Sequence, residues 1–161
     1  MEQVARLVGG PLVPFEKWAT AQIPQVAAGV YTIWDSATFI YVGMAGRGLS
    51  SEALRLRAKS TGLSTRLASH ASGRRSGDQF CVYVCDRLVL PELTREQVLE
   101  VAAGRLSLDG LTRDYIRGRL GFRWTVTEDG PAAHALERSF RRGETTAGLP
   151  MLNPEVTPVE R

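Results

Sequence analysis

The sequence predicts an α/β domain of the α+β kind: a small three-stranded antiparallel sheet flanked by helices, with helical insertions. Three observations carry this expectation. The runs GVYTIWD (29–35) and FIYVGMA (39–45) are β-branched and aromatic, and a short polar turn joins them at hairpin distance. The run FCVYVCDRLVL (80–90) is almost continuously apolar and reads as a buried third strand. The segments 63–73, 91–120 and 131–142 place apolar residues at helical spacing. A length of 161 residues fits one domain, and 43% hydrophobic residues suffice for a core.

Taken in order, residues 1–28 are punctuated by Pro and Gly and read as an extension packing on the domain through Phe15 and Trp18. The domain itself is expected over 29–154, with a tail at 155–161. Residues 46–62 are rich in Gly, Ser and Arg around LSSEALRLRA, a loop with a helical piece. LSTRLASHASG (63–73) sets Leu63, Leu67 and His70 on one helical face, with Gly73 as a stop. Thr61 or Ser64 is the expected N-cap. A polar loop, GRRSGD, precedes the third strand. The insertion of about 91–120 is mainly helical, and Gly121 ends it. FRWTVTED (122–129) alternates like another strand or extended piece. Gly130-Pro131 opens a last helix, because Pro is tolerated in a first turn. Ala132, Ala133, Leu136 and Phe140 share one of its faces, and Gly143 closes it.

Composition narrows the function classes. No run of 18 or more apolar residues appears, and the N-terminus lacks the charge and apolar length of a signal peptide, so a cytoplasmic protein with no membrane span is expected. Cys81 and Cys85 fall on the expected strand, roughly 13 Å apart and too far to bridge. They read as small core residues rather than zinc ligands. Only Lys17 and Lys59 of the 20 basic residues are lysine. Arginine matches phosphate oxygens with a planar fork. Between 47 and 75 the basic residues are Arg47, Arg55, Arg57, Lys59, Arg66, Arg74 and Arg75, against the single acid Glu52. Such a local excess on a chain of net charge +3 points to a polyanion-facing surface.

The side chains that carry chemistry are spread along the chain. Tyr31 and Tyr41 sit on adjacent antiparallel strands and can converge if both point to one face. Arg66 and His70 are one helical turn apart. Two hydroxyls, a guanidinium and an imidazole make a poor core but suit an oxyanion. Glu137, on the last helix, can hold a divalent cation. Taken singly, each has a bland reading: half-buried strand tyrosines, a surface arginine, a Glu137–Arg141 pair at i,i+4, and Asn153 as a turn residue before Pro154. His134, one turn ahead of Glu137 and Arg138, reads as a partly exposed helix residue.

Taken together, the pattern resembles the GIY-YIG nuclease family. Gly29-Val30-Tyr31 and Tyr41-Val42-Gly43 stand where that family has its two tripeptides, with Val for Ile in both. Arg66 falls in the following helix, Glu137 in a later one, and Asn153 in a closing Leu-Asn-Pro. His70 resembles the restriction-endonuclease-like branch. The resemblance covers roughly 28–154. It implies a Mg²⁺-dependent (or Mn²⁺-dependent) endonuclease acting on duplex DNA, with Tyr31, Tyr41, Arg66, His70, Glu137 and Asn153 in the catalytic site and Glu137 as the metal ligand. Tyr31 is then the base or base-positioning group, and Tyr41 orients water or binds phosphate. Arg47, Arg55, Arg57, Lys59, Arg74 and Arg75 are the expected DNA contacts. Cutting both strands makes a homodimer plausible. The alternative is a non-catalytic nucleic-acid-binding or assembly module of the same fold. The acids of the insertion (Glu92, Glu96, Glu100, Asp109, Asp114) set it apart from the basic face, as a region that packs or dimerises.

Overall fold

A computed structural model describes residues 1–50 and 62–154. Residues 51–58 of the expected helical piece, the candidate contacts Arg55, Arg57 and Lys59, the candidate cap Thr61 and the tail 155–161 lie outside the described residues.

The chain forms a mixed α/β structure around one antiparallel sheet. The sheet has four strands, not three, in the order β1-β4-β2-β3. They are β1 (Val13–Pro14), β2 (Gly29–Asp35), β3 (Thr38–Ala45) and β4 (Leu120–Val126). The β2–β3 hairpin forms as its sequence predicts, with a register shift between Ile33 and Trp34. Of the other two, β4 falls on the run 122–129 expected as a strand or extended piece, and only β1 comes from an unexpected segment. β4 supplies the second partner of β2, and the extension before residue 29 contributes β1, which pairs Val13 with Phe122.

The run 80–90 is not a strand. It is α3 (Gln79–Val84), continued by a π-helical turn (Cys85–Val89) and a short 3-10 turn (Leu90–Glu92). The buried residues explain why: Phe80, Cys81, Val84, Cys85 and Val89 recur at helical intervals and form one apolar stripe. The β-branched and aromatic residues of the run favour a strand, but packing overrides propensity here. Cys81 and Cys85 are therefore a helical turn apart, and both are buried free thiols.

The remaining helices are α1 (Glu2–Gly9), α2 (Leu63–Ser72), α4 (Arg95–Ala102), α5 (Leu108–Arg119) and α6 (Gly130–Arg141). α2 begins at Gly62 with no side-chain cap, so Ser64 does not cap it, while Gly73 ends it in the left-handed conformation at φ 69°. α4 and α5 occupy the expected insertion. α4 carries a capping box from Thr94 and Gln97, yet none of its residues is buried, and Val98 and Leu99 face solvent.

Apolar side chains pack on both faces of the sheet. One cluster gathers Tyr31, Ile33 and Ile40 with Leu63, Leu67 and Phe80 from α2 and α3. The other gathers Val30, Trp34 and Val42 with Leu7, Ala133 and Phe140 from α1 and α6. β2 is buried on both sides, so its polar Thr32 is satisfied internally, donating to Leu7 O at 2.7 Å. Phe15 is fully buried and Trp18 packs against the first cluster, as anchors of the N-terminal segment. Among the described residues no helix is long and apolar enough to cross a membrane.

Candidate active site

β3 is an edge strand of the sheet, and its middle, with the facing part of β2, positions the site. Tyr31 lies opposite Gly43, and Tyr41 lies opposite Ile33, so the two phenols are diagonal neighbours on one face. Their ring centroids are 6.5 Å apart. Gly43 is what lets Tyr31 lie flat across the partner strand. A Cβ at position 43 would fall on the Tyr31 hydroxyl, 2.2 Å from its oxygen. The glycine is thus required by side-chain packing, not by backbone conformation.

α2 brings Arg66 and His70 to the same place. Leu63 and Leu67 seat the helix in the core, and His70 follows Leu67 inward while Arg66 stays exposed. The Tyr31 hydroxyl and His70 Nε2 are 2.7 Å apart. On the other side of the ring, Nδ1 lies 2.8 Å from Asp78 Oδ2 and 3.0 Å from Oδ1. Asp78 is 3% exposed. It also accepts from Ser69 Oγ at 2.7 Å and caps α3 through the Phe80 and Cys81 amides. One carboxylate therefore starts a helix and orients an imidazole.

Charge states follow from this geometry. Burial lowers the His70 pKa, and this outweighs the pull of the Asp78 carboxylate. Burial alone would raise Asp78. The hydrogen bonds from His70, Ser69 and the Cys81 amide reverse that and hold its pKa below the usual value. The resting pair is thus a neutral imidazole and a carboxylate. Nδ1–H then donates to Asp78, and Nε2 accepts the Tyr31 O–H. Burial first, and then the neighbouring Tyr41, push the Tyr31 pKa well up, while Arg66 opposes them. Burial likewise raises Tyr41 to about 12. Both tyrosines are phenols at neutral pH.

α6 approaches from the opposite face of the sheet. Asp129 caps it by accepting from the Ala132 amide, and Pro131 fits its first turn. Glu137 shares the buried face with Ala133 and Phe140 and is only 7% exposed. Its bridge to Arg141 exists, but at 3.6 Å and not on a fully exposed surface. Burial raises the Glu137 pKa, against the opposing charges of Arg141, His134 and Arg47. His134 itself is half-buried.

These groups meet in one cavity of about 190 Å³, lined by Tyr31, Tyr41, Arg66, His70, Asp78 and Glu137 among others. Asn153 is not part of its wall. It clamps β3 from outside, accepting from the Val42 amide and donating to the Val42 carbonyl, both at 2.8 Å. With Met151 and Leu152 bonding Phe39 and Ile40 carbonyls, it covers the edge strand that carries Tyr41 and Gly43. Asn153 holds the strand from outside, separate from the six residues named in the cavity wall.

Two groups of residues could hold a cation. His70, Asp78 and Cys81 place ligand atoms within 4.8 Å of one another, all buried. There the imidazole and carboxylate already bond each other, and burial pushes the Cys81 thiol pKa far up, so no thiolate is offered. The second group centres on Glu137, whose buried carboxylate meets Arg141 at 3.6 Å and whose cavity neighbours Tyr31 and Tyr41 offer oxygen, the ligand type that hard cations prefer.

Of the candidate DNA contacts, Arg47 and Arg74 are exposed. Arg75 is engaged with Asp109 at 2.7 Å. Asp78 is the site residue that the sequence did not disclose. Its signal was an Asp directly ahead of an apolar stretch with helical period, an N-cap signature hidden once that stretch is read as a strand. Compared with models of protein families, with curated proteins and with solved structures, the chain matches none.

Proposed function

We propose that the chain is a divalent-metal-dependent endonuclease that hydrolyses phosphodiester bonds in duplex DNA. The observation that supports this most is the buried Tyr31–His70–Asp78 chain opening onto the cavity that Glu137 and Arg66 also line. A neutral imidazole held by a carboxylate and accepting from a hydroxyl is the arrangement of a proton relay. A guanidinium and a carboxylate beside it match a phosphodiester and its counter-charge.

In this reading Arg66 holds the non-bridging oxygens of the scissile phosphate. A water facing Tyr31 attacks phosphorus. Its proton passes to the Tyr31 oxygen as the Tyr31 proton passes to His70 Nε2. A P–O ester bond breaks, its electron pair leaves with the departing oxygen, and that oxygen takes a proton from solvent while His70 later returns its own to solvent. Asp78 stabilises the imidazolium that forms and keeps the ring from turning. The high pKa of Tyr31 requires this concerted exchange, because a resting phenolate is not populated. Tyr41, a phenol, donates to a phosphate oxygen. Glu137 would hold Mg²⁺ or Mn²⁺. What that ion supplies when bound is positive charge at the phosphate and at the departing oxygen.

Incubation of the full chain with supercoiled plasmid and Mg²⁺ tests the proposal. Nicked or linear product is expected, with none in EDTA. Glu137→Ala is expected to bind duplex DNA and not cut it. Intact plasmid with wild-type protein in both Mg²⁺ and Mn²⁺ rejects catalysis and leaves the non-catalytic binding module.

A further inference from the structure

The cavity does not end at Arg66. A second hollow of about 340 Å³ shares Arg66 with it and continues past Thr65 and Ser69. A third, of about 640 Å³, shares Thr65 and Ser69 and opens between α2 and α5. Three arginines line that outer hollow: Arg74 after α2, and Arg113 and Arg117 from α5. Among the described residues no carboxylate lines it.

The pairing of these arginines differs from that of three others nearby in the chain. Arg75, Arg105 and Arg119 each meet an acid at 2.9 Å or closer. Arg66, Arg74 and Arg117 make no ion pair among the described residues. Arg113 has only its exposed chain neighbour Asp114, at 3.3 Å. Arg117 is anchored, since its Nε donates to the Ala71 carbonyl at 2.8 Å, and its two terminal nitrogens have no partner among the described residues. The insertion is therefore not uniformly acidic. Asp109, Glu92 and Glu100 are spent on arginines, while the i,i+4 pair Arg113 and Arg117 turns to the groove.

We propose that this groove holds the phosphodiester backbone of the DNA strand that leads away from the cut, with Arg74, Arg113 and Arg117 on successive phosphates. The proposal rests on the nuclease reading for its ligand and for the direction of the strand. The dimensions agree. The ten residues of α2 span about 15 Å, the axial rise of about four nucleotides of one B-form strand. Contacts of this kind set affinity and register without reading bases.

The test is binding of a fluorescent DNA duplex by the full chain in EDTA, as a function of salt. For Arg113→Ser/Arg117→Ser, affinity at low salt is expected to fall about tenfold or more. The slope of log K against log salt is expected to become shallower by about two, at about 0.9 per phosphate contact. Arg113→Lys/Arg117→Lys keeps both charges and is expected to recover the slope. Arg105→Ser, which removes a charge outside the groove, is expected to bind as wild type. Wild-type affinity and slope in the serine pair overturn the groove. So does an equal loss in Arg105→Ser, or a lysine pair that melts like wild type yet stays shallow. Plasmid cleavage is scored separately. Cutting with an unaltered slope in the serine pair rejects the groove alone, and the expected slopes without any cutting reject catalysis alone.

Discussion

On the His70 side of the cavity each polar group is matched, whereas on the Glu137 side the charges are left short of partners. Tyr31, His70 and Asp78 form an unbroken chain at 2.7–2.8 Å, and Ser69 and two amides complete the carboxylate. Across the cavity, Glu137 has Arg141 only at 3.6 Å, and among the described residues Arg141 Nε is buried without an acceptor. A satisfied buried network is rigid and keeps its shape without ligand. An unsatisfied one gains most when a counter-charge arrives. In the proposed reaction, the half that moves protons is finished by folding, and the half that would meet substrate and cation is completed on binding.

Breaking the unfinished half gives the largest expected effect. Glu137→Gln should cost at least about 10³-fold in cleavage, of the size seen when a transition-state charge is left unmet. Stability should hold or rise. A carboxyl whose folded pKa is raised loses stability as pH climbs through that value, and the amide escapes this cost. Thermal melting at pH 8 checks it, and a large drop would place Glu137 in a structural role.

In the finished half, Asp78→Asn should slow single-turnover cleavage by about 10²–10³-fold, because the imidazolium loses its counter-charge. The acid limb of the pH–rate profile should also move to lower pH, since Asp78 opposes the lowering of the His70 pKa. A slower enzyme with an unmoved limb would make Asp78 only an α3 cap. Gly43→Ala tests the packing beneath the relay. Its methyl falls on the Tyr31 hydroxyl, and a forced shift of this kind costs about 1–3 kcal/mol. Denaturant unfolding should register the loss, and cleavage should fall with it.

The smallest effect is on stability against pH. The unfolded chain protonates His70 more readily than the fold does. Stability is therefore complete above about pH 6.5 and declines as pH falls below that, until the folded value is passed. His70→Gln should flatten this part of the melting-temperature profile. A profile as steep as wild type would assign the decline to other groups.

Local signals in the sequence gave the hairpin, the Gly73 stop, the Pro131 start and the alignment of Tyr31 with Tyr41, because strand alternation and capping residues act over a few positions. What the sequence concealed depended on distant contacts. β1 is two residues long and exists only because β4 offers an edge. Residues 80–89 carry strand-like residue types but bury a helical stripe. That one misreading also hid Asp78, which looks like loop until the helix it caps is recognised. Asn153 was legible as a site residue, but its clamp on β3 was not, because 111 positions separate it from Val42.

The most direct test removes one oxygen. Tyr31→Phe keeps the ring that packs on Gly43 and deletes the hydroxyl between the cavity and His70. Single-turnover cleavage of a DNA duplex in Mg²⁺, beside wild type, should fall by about 10²–10⁴-fold, the range of a lost acid–base group, with duplex binding in EDTA and melting temperature retained. Cleavage at the wild-type rate by a folded Tyr31→Phe protein would contradict the relay.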